Sequence, residues 1–331
     1  MKKIRFAIVG TNIITDRFIE GLKKVEGTEL VAVYSRTVDR GTDFATMYQI
    51  PHVFTDLEEM AQSPLIDAVY IASPNALHAK QAILLMDHGK HVICEKAFAS
   101  NVKEVDAMIQ AAKKNQVFLM EAIKNVHVPN FKIIEENLKK IGTVRKYVAS
   151  FCQYSSRYDA YRSGDVLNAF RPELSNGALV DIGVYCIAPM VRLFGKPEYI
   201  QATGFKLESG VDGEGNINFT YPTMSATIQY SKISNSNLPS EIQGEEGTIC
   251  IEKISQCQKV SLYPRKGEKV GLSQQDTIDN LYDEIQDFVD MIRTNNIQQQ
   301  DKWLEESRIV VEIMEEARKQ MGIHYPADEL V

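Results

Sequence analysis

The chain has 331 residues, 44% apolar and 24% charged. That length suits about two domains, and the composition excludes a disordered chain and, with 19 glycines and 11 prolines, a collagen-like one. Its 37 basic residues fall short of its 44 acidic ones, a net charge of −7, and no basic block offers nucleic acid or an anionic membrane a surface.

No apolar run approaches the roughly 20 residues of a membrane span. The apolar stretch Ile4 to Val9 is too short for a secretory leader and ends at Gly10. The five cysteines, Cys94, Cys152, Cys186, Cys250 and Cys257, are scattered and offer no metal-ligand spacing. The expectation is a cytoplasmic protein with free thiols and no metal.

Residues 1 to 124 alternate between strand-like and helix-like runs. Ile4 to Val9 reads as a strand buried on both faces. Ile14, Phe18, Leu22 and Val25 recur at helical spacing before Gly27. Leu30 to Tyr34 predicts a second strand and 37–47 a second helix. Ile66 to Ala72 predicts another strand, followed by a helix capped by Asn75 and stopped by Gly89. His91 to Cys94 is a strand, Val102 to Asn115 a helix and Val117 to Met120 a strand. Such alternation predicts an α/β, dinucleotide-binding (Rossmann) domain over 1–124.

The region 125–331 reads differently. Val144 to Tyr154 is a long strand and Asp181 to Phe194 a helix. Short strands then run from Glu198 to about Tyr263, punctuated by Asp212-Gly213-Glu214-Gly215 and Glu245-Glu246-Gly247. Two helices close the chain, near Asp279–Thr294 and Asp301–Gln320. This order predicts an α+β domain with a large, mainly antiparallel open sheet.

The first strand–helix turn is Gly10-Thr11-Asn12-Ile13-Ile14-Thr15. A dinucleotide fold needs a tight turn here so that the helix N-terminus can hold a pyrophosphate. Only the first of the three usual glycines is present; Asn12 tolerates left-handed backbone and Thr15 is small enough for close packing. After the second strand, Ser35, Arg36 and Arg40 stand where an NAD-binding fold carries an acid. Guanidinium groups match a 2′-phosphate and a carboxylate repels it, so the reading is NADP, with NAD less favoured.

Four motifs carry a resemblance to the glucose-fructose oxidoreductase / inositol 2-dehydrogenase / rhizopine-catabolism (Gfo/Idh/MocA) family. They are the turn at Gly10, Ile71-Ala72-Ser73-Pro74-Asn75-Ala76-Leu77-His78, His91-Val92-Ile93-Cys94-Glu95-Lys96, and Gly177-Ala178-Leu179-Val180-Asp181-Ile182-Gly183-Val184-Tyr185. Ala97 replaces the proline of the family's Glu-Lys-Pro. Tyr185 and the arginine pair resemble the dihydrodiol dehydrogenase and glucose-fructose oxidoreductase branch, whereas Lys124 departs from an aromatic common in the dihydrodiol enzymes. The resemblance implies an NADP-dependent oxidoreductase acting on a sugar, polyol or vicinal diol, and a homodimer or homotetramer formed through the C-terminal sheet. It places Gly10, Thr11, Asn12, Ile13, Ser35, Arg36, Arg40, Ala72, Ser73, Pro74, Asn75, His78, Glu95, Lys96 and Glu121 around the cofactor.

Hydride transfer at an alcohol carbon needs a group that takes or gives the hydroxyl proton. Lys96, past a strand's C-terminal end, can bind the substrate oxygen and stabilise alkoxide charge. Tyr185 is the candidate proton donor and acceptor, its phenolate favoured by a cation such as Lys96. Asp181, one helical turn earlier, can bind a second hydroxyl, hold Lys96, or serve only as a helix cap. Tyr154, Tyr158, Arg162 and Arg171 can line a polyol site or a solvated loop. The competing reading is a non-catalytic dinucleotide-binding sensor of the same fold.

Overall fold

The computed structural model describes residues 3–274 and 281–329. The chain forms two compact units. The first holds residues 1–122 and 279–308, the second 123–278 and 309–331. The sequence reading had a single crossing at 124/125, without the return of 279–308.

In the first unit, strands and helices alternate as β1 (Ile4–Val9), α1 (Ile13–Leu22), β2 (Thr28–Tyr34), α2 (Val38–Tyr48), β3 (His52–Phe54), α3 (Leu57–Gln62), β4 (Ala68–Ile71), α4 (His78–Asp87), β5 (His91–Glu95), α5 (Val102–Asn115) and β6 (Leu119–Ala122). The six strands form one parallel sheet in the order β3-β2-β1-β4-β5-β6. The order reverses between β1 and β4, and open α/β sheets bind ligands beyond the strand ends at such a switch point. Phe6, Ile8, Val33, Ala68, Tyr70 and Ile93 are buried in the core, as the continuous apolar runs require.

The return of the chain has a packing cause. Leu281, Ile285, Phe288 and Val289 are buried in the same core as Phe18, Ile19 and Leu22 of α1. A Cβ on Gly21 would sit 3.0 Å from the Tyr282 nitrogen, so a small residue lets the backbones approach. This apolar stripe belongs to α9 (Tyr282–Thr294). The expected start of that helix at Asp279 lies outside the described residues.

The second unit contributes α6 (Pro129–Asn137), β7 (Val144–Cys152), α7 (Ser156–Arg162), α8 (Val184–Phe194), β8 (Tyr199–Lys206), β9 (Asp212–Thr220), β10 (Ser225–Ser231), β11 (Ser240–Gly244), β12 (Gly247–Lys253), β13 (Gln258–Pro264) and β14 (Val270–Gly271). Its eight-stranded sheet runs β14-β13-β12-β11-β7-β10-β9-β8. Only β7 and β10 pair in parallel; the remaining neighbours are antiparallel. Helix α10 (Ile297–Gln320) runs through the second crossing.

Several local expectations are corrected. Asp212-Gly213-Glu214-Gly215 is not a turn but the start of β9. Glycine is needed there because a Cβ on Gly215 would collide with the Tyr230 hydroxyl, while one on Gly213 would crowd Ile233. Asn75 is no helix cap: it lies in a 3-10 turn, Asn75–Leu77, that precedes α4. The segment Pro172–Phe194 is long and apolar enough to cross a membrane, contrary to the hydropathy reading. Most of its apolar window, 67%, is buried within the protein, as in a core helix. All five cysteines are free thiols.

Candidate functional site

The turn after β1 is built for close backbone approach. Gly10 has φ +112, and a Cβ there would sit 2.8 Å from the Ala72 carbonyl oxygen. The glycine therefore lets the turn after β1 touch the turn after β4. Asn12 is extended (φ −114), not left-handed as expected. It caps α1, its Oδ1 accepting from the Ile14 and Thr15 amides, and its Nδ2 donates to the Ala72 carbonyl at 2.7 Å. Asn12 thus does by hydrogen bonding what a second glycine does by compactness. Thr15 is fully buried, and its hydroxyl donates to the Gly10 carbonyl. Ile13 lies 72% exposed at the helix N-terminus.

At the end of β2, Ser35 is buried, its amide donating to the Phe54 carbonyl, while Arg36 and Arg40 are exposed. Arg40 reaches back to the turn after β1: Nε donates to the Thr11 hydroxyl at 2.6 Å and Nη2 to the Thr11 carbonyl at 2.8 Å. A hydroxyl and two guanidinium groups, with no carboxylate among them, form a donor set that fits a dinucleotide carrying a 2′-phosphate. The compact Gly10 turn fits its pyrophosphate.

After β4 and β5 the chain is held by His78. The imidazole is fully buried, with Nδ1 2.9 Å from the Ala97 carbonyl and Nε2 2.8 Å from the Ser73 carbonyl. Burial lowers its pKa, and the two carbonyls pull the other way. With both ring nitrogens engaged by backbone, His78 is a brace that ties the Ser73-Pro74 turn to the residue after Lys96. Ala97 is itself buried, and the Lys96–Ala97 peptide is cis. Where the family has proline, Ala97 is held here through its carbonyl by His78. Ser73 is fixed further, its hydroxyl donating to Gln81 at 2.6 Å.

Glu95 is buried. Its Oε1 accepts from the Tyr70 hydroxyl at 2.6 Å and its Oε2 from the Lys96 amide at 3.3 Å. Tyr70 in turn stacks on Phe18, ring centroids 3.7 Å apart. Lys96 is half-buried at the end of β5. Glu121, at the end of β6, is 3% exposed and its Oε1 has no hydrogen-bond partner. Burial pushes its carboxyl up to about 7, against the Ser307 hydroxyl, the Phe98 amide and the Lys96 charge, which favour the carboxylate.

The second unit holds Asp181 and Tyr185. Leu179–Gly183 forms a π turn that leads into α8. Such turns widen a helix locally and recur at functional sites. Asp181 lies inside it and does not cap the helix. The cap is Asp212, fully buried, whose Oδ2 accepts from the Leu179 amide at 2.6 Å. Burial raises the Asp212 carboxyl to about 6. Gly177, at φ +152, is required because a Cβ there would collide with the Asp212 carboxylate. Tyr185 is half-buried, its ring edge-on to Phe151 with centroids 6.0 Å apart. Its carbonyl accepts from Asn125 Nδ2 at 2.9 Å.

Sequence reasoning missed Lys232. Its Nζ makes an ion pair with Asp181 and lies 5.4 Å from the centre of the Phe170 ring. Phe170 belongs to an aromatic cluster with Tyr158 and Tyr161, and Tyr154 packs on Tyr158. The sequence signal is a lysine just after the alternating segment Ser225–Ser231, which reads as solvated.

Residues 4–123 match the model of the GFO_IDH_MocA oxidoreductase family with an NAD-binding Rossmann fold, and 133–250 match the GFO/IDH/MocA C-terminal domain. The chain belongs to the Gfo/Idh/MocA family. Among Gfo/Idh/MocA relatives, scyllo-inositol 2-dehydrogenase (NADP(+)) IolU of Bacillus subtilis is 55% identical over 98% of this chain and 99% of its own. Trans-1,2-dihydrobenzene-1,2-diol dehydrogenase of Danio rerio is 30% identical, also over 98% and 99%. The 3-ketoreductase KijD10 from Actinomadura kijaniata, solved with NADP and TDP-benzene, has a similar fold, with a TM-score of 0.84. It is 22% identical over 98% of this chain and 100% of its own.

Proposed function

We propose that this protein is an NADP-dependent dehydrogenase/reductase that interconverts a secondary alcohol of a ring polyol and the matching ketone, with inositols as the substrate class. The observation that carries the cofactor is the Ser35-Arg36 strand end with Arg40 bonded to Thr11. The substrate class is supported by the 55% identity to a relative named for scyllo-inositol and NADP(+).

When bound, the nicotinamide accepts or supplies the hydride. The remaining work falls to the chain's own residues. The Lys96 ammonium holds the substrate oxygen and stabilises its negative charge as the O–H proton leaves. Tyr185 takes that proton during oxidation and returns it during reduction. Asp181 accepts a hydrogen bond from a neighbouring hydroxyl. Gly10, Thr11, Asn12 and Ile13 receive the pyrophosphate end, and Ala72, Ser73, Pro74 and Asn75 the segment beside it. His78 and Glu95, whose polar atoms are committed to protein partners, act by positioning. Glu121 completes the first unit's set. The 55% identity to a relative named as a dehydrogenase favours an enzyme over a sensor.

The test is a matrix of initial rates: NADP+ and NAD+ against scyllo-inositol, myo-inositol, a trans-dihydrodiol and glucose. Turnover is expected with NADP+ and an inositol. Lys96→Ala and Tyr185→Phe should each lower kcat about 100-fold or more while retaining NADPH binding. Near-normal kcat in both, or no turnover of any polyol by a protein that binds NADPH, would refute the proposal.

A further inference from the structure

Lys232 directly follows β10 and is 4% exposed. Its backbone is fixed on both sides: the amide donates to the Gly213 carbonyl at 2.9 Å, and its carbonyl accepts from the Ser155 amide at 2.9 Å. Tyr230, two residues earlier, is buried on one face of β10. That face is pressed onto the π turn, since a Cβ on Gly183 would sit 3.1 Å from the Tyr230 ring. The ammonium meets the π turn at Asp181 and the ring of Phe170 together. The buried residues on that face of β10, Ala226, Ile228 and Tyr230, are apolar or aromatic.

A buried ion pair adds little stability over an apolar pair of the same shape. The consequence of this one lies in the state of Asp181. A half-buried carboxylate is kept charged and in one orientation by an adjacent cation, and the π turn sets it one turn before Tyr185. We propose that Lys232 is a positioning residue for substrate recognition: it holds Asp181 charged and aimed so that Asp181 can accept a hydrogen bond from a substrate hydroxyl beside the Phe170 and Tyr158 rings. This rests on the reading of Asp181 given under Proposed function.

The test compares Lys232→Met, Lys232→Gln, Lys232→Arg, Asp181→Asn and the Asp181→Asn/Lys232→Met double variant on whichever inositol the wild type turns over fastest with NADP+. Lys232→Met should lower kcat/KM for the inositol about 10- to 100-fold, the range of one charged hydrogen bond, mostly through KM. The KM for NADP+ should stay within about twofold. Arginine should recover most of the loss, which a purely structural filler would not show. The double variant should be no worse than Asp181→Asn alone, because both act through one group. If Lys232→Met does not fold, Lys232→Gln carries the same expectation. Full activity in Lys232→Met or Lys232→Gln alongside an impaired Asp181→Asn overturns the role of Lys232 and leaves Asp181 standing. Full activity in Asp181→Asn, or no inositol turnover by the wild type, overturns the reading beneath it.

Discussion

Replacing Glu121 by glutamine should shift stability relative to the wild type in a pH-dependent way, more favourably at high pH than at low. The folded carboxyl is raised from 4.5 to about 7, chiefly by burial. Between those values the folded state keeps a proton that the unfolded chain has released. The folded state binds more protons there, so stability falls as pH rises through that window and levels off above it. Each pH unit is worth about 1.4 kcal/mol, so the wild type gives up about 3 kcal/mol by pH 8. Glutamine carries no charge at any pH and avoids that loss. Its amide still needs a partner where Oε1 has none, but that cost is the same at pH 4 and pH 8 and cancels in the difference. At about 2 °C per kcal/mol for a chain of this size, the Tm of Glu121→Gln relative to wild type should be about 6 °C more favourable at pH 8 than at pH 4. A difference that does not change with pH, or one that favours the wild type at pH 8, would show that Glu121 is ionised at little cost and that the burial argument is wrong.

The two arginines should separate cofactor discrimination from turn stability. Arg36→Ala should weaken NADPH about 30-fold or more, a lost charged contact, and leave NADH unchanged. Arg40→Ala should weaken both, because Arg40 also holds the hydroxyl and carbonyl of Thr11. Nicotinamide fluorescence titration reads both, and an equal loss of the two cofactors in Arg36→Ala rules out a 2′-phosphate contact. Gly177→Ala should cost about 3 kcal/mol or more, since the position has φ +152 and the new Cβ meets the Asp212 carboxylate. Thermal unfolding measures this, and a Tm within about 2 °C of wild type would mean that the Asp212 cap yields freely.

How much of this was legible depends on the range of the interaction behind each feature. The first unit could be read because buried parallel strands are continuous apolar runs and because the stops, Gly10 after a strand and Gly27 and Gly89 after helices, lie beside the elements they end. The family's motifs likewise gathered the strand-end residues. Strand β3 and helix α3 escaped because His52 and Val53 are exposed at the sheet edge and the helix is only Leu57–Gln62; neither shows a periodicity to detect. In the second unit the deciding partners are remote. Asp212 caps a helix 33 residues before it, and Lys232 pairs with Asp181 at a separation of 51. The pattern of β9 and β10 tells which residues share a face; it does not tell which segment lies on that face. The glycines of 212–215 were therefore read as a turn, although Tyr230 and Ile233 occupy the space where their side chains would be. The same blindness hid Lys232. A lysine after a strand reads as solvated until the π turn is laid over it, and only then does its charge acquire an object in Asp181.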